Sequence, residues 1–211
     1  MRGIEHSVRK IYRDKLQAIR SYHPANAQCF DDEAFFQWLQ RAQGGGGDGP
    51  WHGGLGSIPD IGVLRPGQTL WRFTPPHGRL SNWFISGATL NRIRMQASAR
   101  ASEEAPGRRL KAVQVAIREL LQLPPKSDGD PTLIMAFRSS QNVGVIVGGT
   151  LSWQHDDPIN QGMFRYLQSV TERRAERPQE MQIYVPDEQD RLSDYLERFG
   201  PMQPISQWVD S

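Results

Sequence analysis

The apolar positions near the N-terminus repeat at helical spacing. Between Ile4 and Ile19 the aliphatic residues recur at intervals of three to five positions, which places them on one face of a helix. A second helix is predicted to begin at the Asp31/Asp32 cap and to continue to about Gln43. The pattern therefore predicts an N-terminal helical segment over residues 1–43, whose helices we expect to be packing elements.

A glycine-rich stretch without periodicity follows. It contains the run Gly44–Pro50 and further glycines at positions 53, 54 and 56. Such composition is typical of a linker, and no GxGxxG or GxxxxGK[ST] phosphate loop lies between a predicted strand and a predicted helix here. We interpret residues 44–57 as a linker and residues 58–211 as the main domain.

The main domain alternates between strand and helix patterns. The strand-like segments are Gln68–Thr74, Asn82–Ser86, Thr132–Phe137, Val143–Val147 and Met181–Val185. The helix-like segments are Leu90–Ala101, Arg109–Leu123, Pro158–Glu176 and a last helix that opens at Pro186 and Asp187 and carries Leu192, Tyr195 and Leu196. Uneven spacing of these elements predicts an α+β fold with a mixed central sheet and flanking helices.

Composition indicates the cellular compartment in which we expect the protein. Cys29 is the only cysteine, so an intramolecular disulfide is excluded and a reducing compartment is expected. The charged N-terminus lacks the apolar region of a cleaved signal, and no segment approaches the ~18 apolar residues of a membrane span. We expect a cytoplasmic protein, or one delivered into a target cell by a specialised secretion system, with no membrane partner.

Positive charge is concentrated in the middle of the chain. The formal net charge is +2, yet residues 65–118 carry ten basic and two acidic side chains. Of the 25 basic residues 21 are arginine, which suits phosphate recognition but also follows from a GC-rich genome. One hypothesis is therefore a non-catalytic nucleic-acid-binding or protein-assembly module that uses this basic region.

Two common kinds of catalytic centre have no support in the sequence. The five histidines are scattered without ligand spacing, and we predict no metal site. A GxSxG nucleophile motif is absent, and Cys29 has only His23 nearby in sequence.

Three short segments carry the remaining candidate chemistry. Arg72 lies inside a predicted strand, where it needs an anion unless the strand is an edge that faces water. The aromatic segment Trp83–Gly87 leads into a basic helix, and its plain interpretation is a buried strand that ends in a turn. Glu180 and Gln182 lie two positions apart near the C-terminus and so share one face of a strand, functional or merely polar.

In this order the segments resemble ADP-ribosyltransferase folds of the cholera-toxin type, which have a strand arginine, an aromatic-Ser segment and a late strand with a catalytic glutamate. The run Arg72-Phe-Thr-Pro-Pro-His-Gly-Arg79 is also similar to the opening of bacterial NAD-glycohydrolase toxins, which close with a glutamine on a late strand. Two departures stand out: Ser86 is followed by Gly-Ala instead of Thr-Ser, and the order Glu180-Met-Gln182 is reversed. The second departure weakens the transferase alternative more than the glycohydrolase one.

The resemblance implies an enzyme that consumes NAD as its substrate. It assigns Arg72 and Arg79 to the pyrophosphate, and Trp83 or Phe84 to stacking on nicotinamide. It assigns Ser86 to positioning.

The same resemblance makes Glu180 and Gln182 the catalytic candidates on the late strand. It also implies a protein or nucleic-acid target, and an immunity or other partner protein.

Overall fold

The computed structural model describes residues 2–41, 60–75, 82–121, 130–149, 181–187 and 191–210. The predicted linker over residues 44–57 and the predicted helix Pro158–Glu176 lie outside this part of the chain. No helix of the described part is long and apolar enough to cross a membrane.

The described elements combine helices with short strands and confirm the α+β class. The helices are α1 (Arg2–Ser21), α2 (Asp32–Arg41), α3 (Gly87–Ser102), α4 (Arg109–Leu120), α5 (Leu192–Tyr195) and α6 (Ile205–Asp210). The strands are β1 (Asp60–Leu64), β2 (Thr69–Thr74), β3 (Trp83–Phe84), β4 (Leu133–Ser139), β5 (Val143–Gly149), β6 (Met181–Tyr184), β7 (Leu196–Arg198) and β8 (Gln203–Pro204).

The described strands form two sheets. The first has the order β1-β5-β6-β3, and the second has the order β2-β4-β7, with β8 also paired to β4. Every described strand pair is antiparallel. Among the described residues a bridge between Trp71 and Ile85 links the sheets, because the residue after β3 pairs with the middle of β2.

The described residues form three apolar clusters in the core. The inner cluster is formed by both sheets and contains Leu64, Leu70, Phe84, Phe137, Val143, Val145, Val185, Leu192, Tyr195 and Leu196. The N-terminal cluster contains Tyr12, Leu16, Ile19, Cys29, Phe30, Phe35, Phe36, Ile146 and Tyr184. The helical cluster contains Ile85, Leu90, Ile93, Ala97, Ala101, Val113, Ala116, Ile117, Leu121, Ile134, Ile205 and Trp208.

The N-terminal helices pack directly on the first sheet. Their apolar face meets Ile146 of β5 and Tyr184 of β6 within the N-terminal cluster. The side chain of Asn26, in the loop after α1, bonds to both backbone groups of Gly144. Within residues 2–41 the N-terminal helices therefore supply part of the core on which the first sheet packs.

The C-terminal prediction was wrong in two respects. Pro186 and Asp187 do not open the helix, because neither is helical and α5 begins only at Leu192. Leu196 does not continue the predicted helix, because α5 has a single turn and Leu196 pairs with Ser139 as the first residue of β7. The elements β1, β7, β8 and α6 had no prediction. Three of them are strands of two to five residues, which pair with β5 or β4 in antiparallel ladders.

Candidate functional site at the start of strand β6

Strand β3 and the residue after it lie between β2 and β6. Trp71 and Ile85 exchange two backbone hydrogen bonds, with N···O distances of 3.0 and 2.8 Å. On its other side Phe84 pairs with Ile183 of β6. Continuing the same register puts Arg72 opposite Phe84, so Arg72, Phe84 and Ile183 form a row across three strands.

The side chain of Arg72 points to the inner face of the sheet, which is the face that carries the inner cluster. Its neighbours Trp71 and Phe73 pack on the helical cluster, and Leu70 packs in the inner cluster, so alternation places Arg72 on the side of Leu70. The side chain is 8% exposed. Burial lowers the pKa of Arg72 to about 10, so the guanidinium remains protonated at neutral pH.

Gln182 points to the other face. Ile183 and Val185 pack with the inner cluster and Tyr184 with the N-terminal cluster, so alternation puts Gln182 on the side of Tyr184. Its side chain is 5% exposed. Arg72 and Gln182 therefore point to opposite faces, because successive residues of a strand leave the sheet on opposite sides.

The amide of Gln182 is held by the end of α4. Its Nε2 donates a hydrogen bond to the carbonyl oxygen of Leu121 at 3.1 Å. Leu121 follows directly after α4, where helix carbonyls have no partner within the helix. The buried Oε1 of Gln182 accepts no hydrogen bond within the described residues.

Ser86 is the N-cap of α3. Its backbone is extended, and its Oγ accepts a hydrogen bond from the Thr89 amide at 3.2 Å. Gly87 follows because a Cβ at this position would lie 3.1 Å from the Trp71 ring. The local sequence thus explains Ser86 as a cap that starts the helix, and its predicted positioning role stays a prediction.

The two aromatic candidates differ in accessibility. Phe84 is fully buried and meets Phe137 edge-on with 5.4 Å between ring centroids, so its ring has no exposed face, and its predicted stacking on nicotinamide stays a prediction. Trp83 is partly exposed and packs on Tyr184 with centroids 4.9 Å apart. Only Trp83 keeps a surface on which a ligand ring could stack.

Glu180 and Arg79, the remaining predicted site residues, lie outside the described residues. Their predicted roles in charge stabilisation and pyrophosphate binding stay predictions.

The basic region 65–118 is partly neutralised by carboxylates outside it. Arg100 forms an ion pair with Glu119, and Lys111 and Arg118 both pair with Asp130, at 2.6 and 2.7 Å. The positive charge that this region offers to a nucleic acid is smaller than the sequence count suggests.

The partner of Gln182 had no signal in the sequence. A backbone carbonyl carries no residue identity, and Leu121 and Gln182 are 61 positions apart. Pro124 and Pro125 indicated that α4 had to end nearby. The neighbourhood of that helix end follows only from the packing of α4 on the sheets.

Comparisons with known proteins give little guidance. The chain matches no protein-family model, and no curated protein matches it. One similar solved structure is Rhs1-CT in complex with its cognate immunity protein RhsI1, with a TM-score of 0.45, 17% identity, and coverage of 75% of this chain and 88% of that chain. Another is Tse6 in complex with Tsi6, with a TM-score of 0.38, 11% identity, and coverage of 88% and 97%, respectively. At these TM-scores neither likeness establishes a shared fold.

Proposed function

We propose that this chain is an NAD-consuming enzyme of bacterial toxin or effector type, an NAD glycohydrolase or a mono-ADP-ribosyltransferase, with Gln182 at its reactive centre. The observation that supports the proposal is the state of the Gln182 amide. Its NH2 group is bound to the Leu121 carbonyl, and its buried carbonyl oxygen has no donor within the described residues. Buried polar atoms are seldom left without a partner, so a ligand hydroxyl is a natural occupant.

The chemistry that such an oxygen supplies is electrostatic. When the bond between ribose and nicotinamide breaks, its electron pair leaves with nicotinamide and positive charge develops on the ribose. A carbonyl oxygen that accepts a hydrogen bond from a ribose hydroxyl stabilises this charge, and the stabilisation is larger in a buried site. A nucleophile then adds to the ribose carbon and releases a proton.

The neutral amide favours water as this nucleophile. A carboxylate can take a proton from an acceptor side chain, whereas a glutamine amide cannot. We therefore favour the NAD glycohydrolase over the transferase.

Arg72 has no part in this centre, because its side chain lies on the inner face. We expect Arg72→Lys, if it folds, to leave the KM for NAD within about threefold of that of the unaltered chain. A complete loss of NAD binding in a folded Arg72→Lys variant would contradict this assignment.

Release of free nicotinamide from NAD tests the function directly. Gln182→Met keeps the volume of the side chain and removes both polar atoms, and we expect it to lower the rate at least about 100-fold, as the loss of one oriented charge-stabilising group does elsewhere. Gln141→Met is the matched control, since Gln141 is an exposed glutamine in the β4–β5 turn, and it should leave the rate unchanged.

Two outcomes contradict the proposal in different ways. If the unaltered chain releases no nicotinamide, with or without added protein and nucleic-acid acceptors, the function is wrong. If the chain releases nicotinamide and folded Gln182→Met does so at the same rate, the function stands and the reactive centre is elsewhere.

A further inference from the structure

Helix α3 has one face in the core and one face in solvent. Leu90, Ile93, Ala97 and Ala101 recur at helical spacing and pack in the helical cluster. Met95 lies about 200° around the helix from Ile93 and therefore points away from this cluster. It is 72% exposed, more than any other large hydrophobic side chain of the described residues. Packing of the core therefore does not account for this methionine.

The side chains next to Met95 leave it accessible. The positions within two turns of it on the same side of α3 are exposed or partly exposed and carry short side chains, which are Ala88, Asn91, Ser98, Ala99 and Ser102. Met95 projects above them. Another helix can therefore approach α3 along this side and cover the methionine with an apolar side chain of its own.

Positive charge flanks the methionine. Helix α3 contains three arginines and no acidic residue. Arg100 is already paired with Glu119. Arg92 is exposed, lies about 60° from the methionine on one side of the helix, and donates to Thr89 Oγ1 at 3.4 Å. Arg94 lies about 100° away on the other side, is partly exposed, and forms no ion pair with any described residue.

We propose that the exposed face of α3 docks an acidic amphipathic helix of a protein partner, with an apolar side chain on Met95 and carboxylates beside Arg92 and Arg94. The charge on α3 is of one sign, and electrostatic complementarity therefore favours a partner of the opposite sign. Methionine and arginine are both enriched at protein interfaces. With 16 residues, α3 is about 24 Å long and can meet several turns of a partner helix.

The orientation of the partner's charge follows from the end of α3. Glu103 and Glu104 are exposed and come directly after the helix. Like charges across an interface oppose binding, so we expect the partner's carboxylates over the first half of α3 and away from these two acids. This surface is independent of the proposed NAD chemistry.

The arrangement favours a protein over a nucleic acid. Phosphate backbones are bound by several adjacent cations, whereas the two arginines beside Met95 lie on opposite sides of an apolar group. A phosphate backbone also offers no apolar surface to cover the methionine. Other cations of the basic region, Lys111 and Arg118, are held by Asp130.

A display library of single-helix peptides with one randomised face, selected on the full chain, tests the proposal. We expect the selected binders to carry net negative charge and an apolar residue at the centre of the randomised face. Met95→Ser should weaken the best binder at least about tenfold in calorimetry, because buried apolar anchors dominate such interfaces. Met202→Ser, at a methionine of the β7–β8 turn that is 47% exposed, is the matched control and should change the affinity less than about twofold.

The charge contribution is tested by the double variant Arg92→Gln/Arg94→Gln. We expect it to weaken the same binder about fivefold at low salt and less at high salt, because exposed ion pairs are screened. Arg198→Gln, at an exposed arginine on β7, should change the affinity less than about twofold. Thermal unfolding checks that each variant is folded.

Two results would overturn the proposal. One is a set of selected peptides without net negative charge, or a best binder whose affinity is indifferent both to Met95→Ser and to the double arginine variant. The other is a mixed-sequence oligonucleotide that binds more tightly than every selected peptide and depends on both arginines, which would replace the protein partner by a nucleic acid.

Discussion

Two buried amides in this protein are partnered very differently. Asn26, in the loop after α1, is 0% exposed, and its Nδ2 donates to the carbonyls of Gly144 and Pro186, both at 2.9 Å. Its Oδ1 accepts a hydrogen bond from the Gly144 amide at 2.7 Å. Gln182, on β6, makes one hydrogen bond through Nε2 and none through Oε1 within the described residues.

This difference in hydrogen bonding distinguishes a structural residue, Asn26, from a candidate functional residue, Gln182. Asn26 satisfies three backbone groups and fastens the N-terminal loop to β5 and to the segment after β6, so the fold accounts for it completely. Gln182 satisfies one backbone group and carries an oxygen for which the described fold has no use. Such an oxygen costs free energy while it has no donor, and under the proposed function a ligand hydroxyl supplies that donor.

Asn26→Ala should have the largest effect on stability. It leaves an amide and two carbonyls buried without partners, and we expect it to lower the free energy of unfolding by about 3 kcal/mol. Asn142→Ala is the control, because Asn142 makes one side-chain hydrogen bond, to the Tyr22 carbonyl near the surface, and should lose about 1 kcal/mol or less. Urea unfolding measures both, and equal losses would remove the special status of Asn26.

Gly144→Ala tests, through core packing, the same contact between the N-terminal segment and β5. A Cβ on Gly144 would lie 2.1 Å from the Phe30 ring, so the ring or the strand has to move. We expect a loss of about 2 kcal/mol, as is usual for overpacked cores. Phe30→Leu should cost less in the Gly144→Ala background than alone, and additive losses in this double-mutant cycle would contradict the contact.

Gln182→Met should change stability little, in contrast to Asn26→Ala. The substitution frees the Leu121 carbonyl but removes an unsatisfied oxygen, and we expect a change of about 1 kcal/mol or less in either direction. The measurement is urea unfolding of the variant used in the nicotinamide assay. A loss as large as that of Asn26→Ala would make Gln182 a structural residue.

The smallest effect is expected at Asp130, which is tied to α4, the helix whose end orients Gln182. Hydrogen bonds from Lys111 and then Arg118 hold the pKa of Asp130 below its usual range, against an opposing effect of burial. The unfolded chain therefore binds a proton more readily, so this contribution is present at neutral pH and is lost as pH falls through the lowered pKa.

Asp130→Asn should cost about 0.5 to 1 kcal/mol at neutral pH and nothing at low pH. Urea unfolding between neutral and acid pH measures this difference. A variant with the same pH dependence as the unaltered chain would show that these ion pairs contribute nothing.

Local patterns predicted the longer elements well. The helical repeat between Ile4 and Ile19 became α1, and the strand centred on Trp71 became β2, each within two residues at the described ends. The strand Leu196–Arg198 escaped prediction because its three residues carry no usable alternation. Their conformation is decided by the ladder partner, here β4.

The candidate site, too, was predicted in part by local patterns and decided in part by the tertiary structure. The residue pattern determined by itself that Arg72 and Gln182 lie on strands and that Ser86 precedes a helix, because strand alternation and capping act over a few residues. Only the tertiary structure decided that β3 separates β2 from β6, that Arg72 and Gln182 leave opposite faces, and that the end of α4 orients the Gln182 amide. These relations depend on the register between distant segments, which is set by how whole faces pack and not by any local pattern.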